Sequence, residues 1–123
     1  MSGRATDEAA APLSATDFHV LMVLAEGPSY GYAIMKAVAR HSEGAVRPEI
    51  GSLYRVLWRL MDSGWVREAA PPRSARRGSR GQPRRYYALT PAGHAVANAE
   101  ARRLAHVVSL ARERDLLAEG RSR

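Results

Sequence analysis

Seven arginines lie within residues 67–85 of this 123-residue chain, against a single acid, Glu68. The segment therefore carries a net charge of +6, out of a formal net charge of +7 for the whole chain. Guanidinium groups make paired hydrogen bonds to phosphate and to base edges, so such a cluster, interrupted by Pro and Gly, predicts a loop that binds a polyanion. A solvated loop without a partner is the alternative interpretation. The arginines expected to bind are Arg73, Arg76, Arg77, Arg80 and Arg84.

The other residues with reactive groups show no arrangement for catalysis or metal binding. The absence of cysteine excludes disulfides and thiolate ligands, and the four histidines lack metal-ligand spacing. Ser52 has no histidine or aspartate partner at a readable spacing, which argues against a nucleophile. We therefore expect no enzyme activity, no metal and no cofactor. No stretch reaches the ~20 apolar residues of a membrane span and no signal peptide is recognisable, so we expect a cytoplasmic protein without a membrane partner.

A helix is predicted from near Pro48 to Gly64, a glycine well placed to end it in a left-handed conformation. This helix is the element best suited to reading DNA. Its apolar face recurs at helical spacing and is formed by Ile50, Leu53, Leu57, Leu60 and Met61. At about 100° per residue, the opposite face carries Ser52, Arg55 and Arg59. An apolar face on the protein and arginines on the outer face fit a recognition helix in the major groove.

Two helices are predicted before this one, and a pair of strands after it. Helix one begins at Ser14, with Asp17 completing a capping box, and helix two is capped by Ser29. Residues 65–69 and 85–89 are predicted strands, which the basic segment joins as a long hairpin tip. This order predicts a mainly α fold with a two-stranded β-wing, that is, a winged helix-turn-helix.

A fourth helix is predicted after the second strand, opened by Thr90 and Pro91. Small and apolar residues recur along it approximately every seven positions, which indicates a dimerisation seam. The seam residues are Ala97, Leu104, Val107, Val108, Ala111 and Ala118.

The chain contains three distinctive motifs, which are Gly-Pro-Ser-Tyr-Gly-Tyr-Ala-Ile at residues 27–34, Gly-Ser-Leu-Tyr with Leu57, Arg59 and Leu60 in the third helix, and Arg-Tyr-Tyr-Ala-Leu-Thr at residues 85–90. Together they resemble the motifs of PadR-like transcriptional regulators. The resemblance covers roughly residues 13–93. It implies a homodimeric winged-helix repressor of the compact subgroup, with helix one, including Phe18, sharing the dimer interface. Arg55 stands where family members often carry Pro, which adds a cation to the outer face.

We therefore divide the chain into a tail at 1–12, a DNA-binding domain at 13–90, a dimerisation helix at 91–118 and a tail at 119–123. Tyr32 and Tyr54 are further candidate DNA contacts, with core packing as the alternative for both. The expected function is sequence-specific regulation, as a repressor, through double-stranded DNA bound by a homodimer. A ligand-sensing regulator and a non-specific nucleic-acid-binding module are the alternatives. A small-molecule effector has no identified site, since residues 91–123 contain no aromatic side chain for a drug to stack on.

Overall fold

The computed structural model describes residues 12–73 and 84–117. The described elements are four helices and three short strands. In chain order they are α1 (Ala15–Ala25), β1 (Ser29–Tyr30), α2 (Gly31–His41), α3 (Ile50–Asp62), β2 (Val66–Ala69), β3 (Tyr86–Leu89) and α4 (Pro91–Glu113). The predicted winged helix-turn-helix fold is confirmed, and none of the helices among the described residues is long and apolar enough to cross a membrane.

The first three helices pack around one apolar core. The α3 residues Leu53, Leu57 and Leu60 are fully buried against α1 and α2, as their spacing predicts. Ile50 was expected in the same stripe but is exposed, because the helix begins at Ile50 and not near Pro48. Burial of these side chains holds α3 by one face and leaves the other face outward.

Helix α1 begins as predicted, but its capping box is only half formed. The backbone N–H of Asp17 donates to Ser14 Oγ at 3.0 Å, which satisfies one free donor of the first turn. The Asp17 carboxylate does not return to the Ser14 backbone; it binds Arg59 on α3. The first turn of α1 is therefore tied to α3.

The wing contains a strand that the sequence pattern did not reveal. Ser29 and Tyr30 pair antiparallel with Tyr87 and Tyr86, so the sheet has the order β1-β3-β2. Ser29 was expected to cap α2 but is a strand residue, and Tyr30 occupies the cap position without a side-chain hydrogen bond. A two-residue strand has no periodicity to read, which is why the prediction stopped at two strands.

A compact joint connects the wing to α4. Thr90 Oγ1 donates to the carbonyl of Gly64 at 2.7 Å and accepts from the Gly93 N–H at 3.0 Å, as predicted for its cap. Gly64 adopts the expected left-handed conformation with φ of 82°. A Cβ at Gly93 would collide with the Trp65 backbone, so glycine lets α4 lie against the end of the wing.

Candidate nucleic-acid interface

A groove of about 800 Å³ separates α3 from the wing. Among the described residues, five of the chain's eight aromatic residues and three arginines line it, and none of these lining residues is acidic. The lining consists of Tyr30, Tyr32, Gly51, Tyr54, Arg55, Trp58, Arg84, Arg85 and Tyr87. Helix, wing and the start of α2 thus contribute to one positively charged, aromatic surface.

The floor of the groove depends on a glycine at the start of α2. Gly31 is buried, and a Cβ there would lie 2.5 Å from the Tyr54 hydroxyl oxygen. The absent side chain lets the Tyr54 ring pack against the first turn of α2, so the α3 backbone lies close to α2. Packing, the alternative considered for Tyr54, is therefore what the structure shows, and its half-buried ring also borders the groove.

Arg55 faces solvent from α3 and is oriented by its neighbour. Its Nη2 donates to Ser52 Oγ at 3.2 Å, one helical turn away. Both residues lie on the outer face that the helical pattern predicted, and Arg55 also lines the groove. A guanidinium has five N–H donors, so Arg55 keeps further donors for a phosphate or a guanine edge.

Arg59 has a different environment from Arg55, although the two were expected to act together. Its Nη1 and Nη2 donate to Asp17 Oδ2 and Oδ1 at 2.8 and 3.1 Å, a bidentate ion pair between α3 and α1. These hydrogen bonds raise the pKa of Arg59 above its ordinary value, against a smaller opposing effect of burial. Arg59 does not line the groove, and the structure gives its guanidinium a partner within the protein.

At the wing, cations are placed beside aromatic rings and an acid. The Arg84 guanidinium lies over the Tyr30 ring, 4.3 Å from its centroid, and Arg85 Nε lies 3.9 Å from Glu68 Oε2. Arg73 is exposed after β2. The predicted contacts Arg76, Arg77 and Arg80 lie outside the described residues.

Two exposed aromatics form the opposite side of the groove. The exposed fraction is 54% for Tyr32 and 53% for Trp58. Lys36 Nζ lies 5.3 Å from the Tyr32 ring centroid, which adds a cation beside this predicted DNA contact. With this exposure, Trp58 lies on the protein surface and not in the core.

Sequence reasoning missed Tyr30, Trp58, Arg85 and Tyr87 as members of this surface. Trp58 could have been found from its place at the boundary of the α3 apolar stripe. Tyr30 and Tyr87 could not, because their positions follow from the β1–β3 pairing. Burial raises the pKa of Tyr87, so its hydroxyl stays protonated beside the arginines at neutral pH.

The predicted dimerisation residues are distributed along two helices. Phe18, Ala97, Leu104 and Ala111 are half-buried within the chain, whereas Val107 and Val108 are exposed at 45% and 37%. Leu110, Leu116 and Leu117 add further exposed apolar surface at the end of α4. Ala118 lies outside the described residues.

Comparison with known proteins agrees with this architecture. The model of the transcriptional regulator PadR-like family matches residues 20–99. No curated protein matches the chain.

Solved structures with the same fold include two clostridial regulators. A transcriptional regulator from Clostridium thermocellum has 22% sequence identity and a TM-score of 0.62, over 80% of this chain and 87% of that chain. A PadR family transcription regulator from Clostridium difficile has 19% identity and a TM-score of 0.64, over 80% and 95%. Bacillus subtilis PadR, solved in complex with operator DNA, has 20% identity and a TM-score of 0.55, over 67% of this chain and 44% of that chain.

Proposed function

Because the chain belongs to the PadR-like family of transcriptional regulators, we propose that it binds double-stranded operator DNA sequence-specifically, as a homodimer, and represses transcription. The α3 helix enters the major groove, and the wing contacts the neighbouring sugar–phosphate backbone. Bacillus subtilis PadR, which has the same fold, was solved in complex with operator DNA, and this supports the binding of DNA. The proposal assigns the chain no catalytic step.

One observation carries the proposal: arginines from separate elements border a single groove, and none of the described residues that line it is acidic. Arg55 comes from α3, whereas Arg84 and Arg85 come from the wing. Like charges brought together at an exposed surface repel one another, so the arrangement is stabilised when a polyanion occupies the groove. A DNA strand that passes between a recognition helix and a wing supplies that charge.

The roles of the DNA-facing residues follow from how each is held. Arg55 is on a helix and is oriented by Ser52, so it can keep the fixed geometry that a base edge requires. Arg73, Arg76, Arg77 and Arg80 belong to a Pro/Gly-rich segment of the sequence and are assigned to phosphates. Tyr32 is assigned to a phosphate through its hydroxyl, since more than half of its side chain faces solvent.

The homodimer is proposed from the second half of α4. The inward stripe that buries Val96 and Glu100 continues along the helix through half-buried Leu104 to Val107, which the described part of the chain leaves exposed. A second copy of α4, with Phe18 of α1 at its edge, buries this surface and places two α3 helices in a two-fold arrangement. Repression then needs only occupancy, because a bound dimer excludes other proteins from the same DNA.

Selection of bound sites from a random duplex pool tests the proposal. We expect a near-palindrome whose half-sites lie about one helical turn apart, roughly 34–36 Å, or a multiple of it. Recovery of no preferred sequence, with binding that any duplex removes equally, would instead support the non-specific module. A single asymmetric half-site would contradict the two-fold dimer.

A further inference from the structure

The base of the wing contains an aromatic and cationic stack that joins it to α2. Tyr30 lies at the boundary between β1 and α2, and its ring meets Tyr86 of β3 edge-on at 5.4 Å between centroids. The Tyr30–Tyr86 register of the sheet places both rings at the same level of the wing. The Arg84 guanidinium then lies 4.3 Å from the Tyr30 centroid. Tyr30 thus contacts both Tyr86 of β3 and Arg84, which precedes that strand.

Stacking orients Arg84 without consuming its hydrogen-bond donors. The face of a guanidinium plane interacts with an aromatic ring, whereas its five N–H donors point outward in the plane. Among the described residues Arg84 forms no ion pair, in contrast to Arg85, which has Glu68 within 3.9 Å. Arg84 also lines the groove, so its donors are available to a ligand that enters there.

From this geometry we propose that Tyr30 is a positioning residue, which holds Arg84 in the orientation that binds a DNA phosphate. The inference rests on the proposed binding of duplex DNA. It adds a role for Tyr30, which lies immediately before α2. A long arginine side chain loses rotamer freedom when it binds, and a chain already held against a ring loses less of it. Arg84 consequently acts as a fixed contact, in contrast to an arginine that is ordered only by the DNA.

A double-mutant cycle on DNA affinity tests the inference. The four proteins are the wild type, Tyr30→Leu, Arg84→Gln and the double variant, and the probe is a labelled duplex of mixed sequence, since phosphate contacts do not require the operator. Tyr30→Leu should weaken binding by about two- to fivefold in the wild-type background, as expected for an exposed cation–π pair. It should have no further effect in the Arg84→Gln background. There binding is already weaker, and the slope of log affinity against log salt concentration is smaller in magnitude by about one.

Two further single variants test the positioning role even if Tyr30→Leu disturbs the sheet. Tyr30→Phe retains the ring without the hydroxyl and should bind like the wild type. Arg84→Lys retains the charge without the planar face and should lose about as much affinity as Tyr30→Leu. An equal loss from Tyr30→Leu in both backgrounds, or an Arg84→Lys variant with wild-type affinity, overturns the positioning role. A wild-type protein that binds no duplex at all overturns the proposed function, and with it this inference.

Discussion

Removing the ion pair between Asp17 and Arg59 should weaken the fold and leave the reading of DNA unchanged. The Asp17 side chain is only 10% exposed, whereas that of Arg59 is 55% exposed. Exposed ion pairs contribute about 0.2–1 kcal/mol, and hydrogen bonds to charged groups about 1.5–3 kcal/mol. A bidentate pair with one buried and one half-exposed partner lies between these limits. We therefore expect a coupling free energy of about 1–2 kcal/mol between Asp17 and Arg59.

Urea unfolding of the wild type, Asp17→Asn, Arg59→Gln and the double variant measures that coupling. Each single variant should lower the free energy of unfolding, and the double variant should cost less than the sum of the two. Arg55→Gln is the matched control, because it removes an arginine of the same helix that, among the described residues, hydrogen-bonds Ser52 alone. We expect it to change the free energy of unfolding by less than about 0.5 kcal/mol.

Measurements of DNA affinity distinguish a structural role of the Asp17–Arg59 ion pair from base recognition by Arg59. If Arg59 only holds α3 on α1, then Asp17→Asn and Arg59→Gln should change affinity for operator and scrambled duplex by similar factors. If Arg59 pairs with guanine, Arg59→Gln alone should relax the sequence preference by about 1–3 kcal/mol. That result, or additive effects on stability, would refute the assignment.

Three further predictions concern the dimer, pH and packing. Val107→Glu should weaken self-association, measured by sedimentation, at least about tenfold, because an unpaired carboxylate would be buried. The control Ser109→Glu, on the opposite face of α4, should leave self-association unchanged. The hydrogen bond from Arg103 lowers the pKa of buried Glu100 below its ordinary value of 4.5. The ionised Glu100 carboxylate therefore stabilises the folded state above that pH, and this stabilisation is lost as pH falls through the lower, folded-state pKa. Glu100→Gln should therefore lower the free energy of unfolding at neutral pH, and the difference from the wild type should shrink in acid. Gly31→Ala should cost about 1–3 kcal/mol in urea unfolding, since the new methyl group meets the Tyr54 hydroxyl.

Sequence patterns predicted the elements that have a strong local signal. The apolar spacing of Leu53, Leu57 and Leu60, the Thr90 cap and the left-handed Gly64 are all local features, and each was confirmed. Helical periodicity also placed Ser52 and Arg55 on the outer face of α3, because an angle around a helix depends only on residue number.

The features that were missed depend on contacts between residues distant in the chain. Asp17 and Arg59 are 42 residues apart, so the cap pattern at Asp17 gave no sign of the ion pair. The β1 strand is defined only by its pairing with β3. The same pairing decides that Tyr30 lies beside Arg84. Arg59 in particular shares a helix face with Arg55 by angle but has a carboxylate within reach, which decides where its guanidinium goes.

The central claim is that α3 and the wing form one DNA-binding surface, in which Arg55 reads a base and the wing binds phosphates. Its most direct test is the affinity of the wild type and of Arg55→Gln for the selected operator and for a scrambled duplex, each measured against salt concentration. The account predicts that Arg55→Gln loses about 1–3 kcal/mol on the operator and far less on the scrambled duplex, so that the preference between them narrows. Equal losses on both duplexes would make Arg55 a phosphate contact, and undiminished binding to both would place the DNA on another face of the protein.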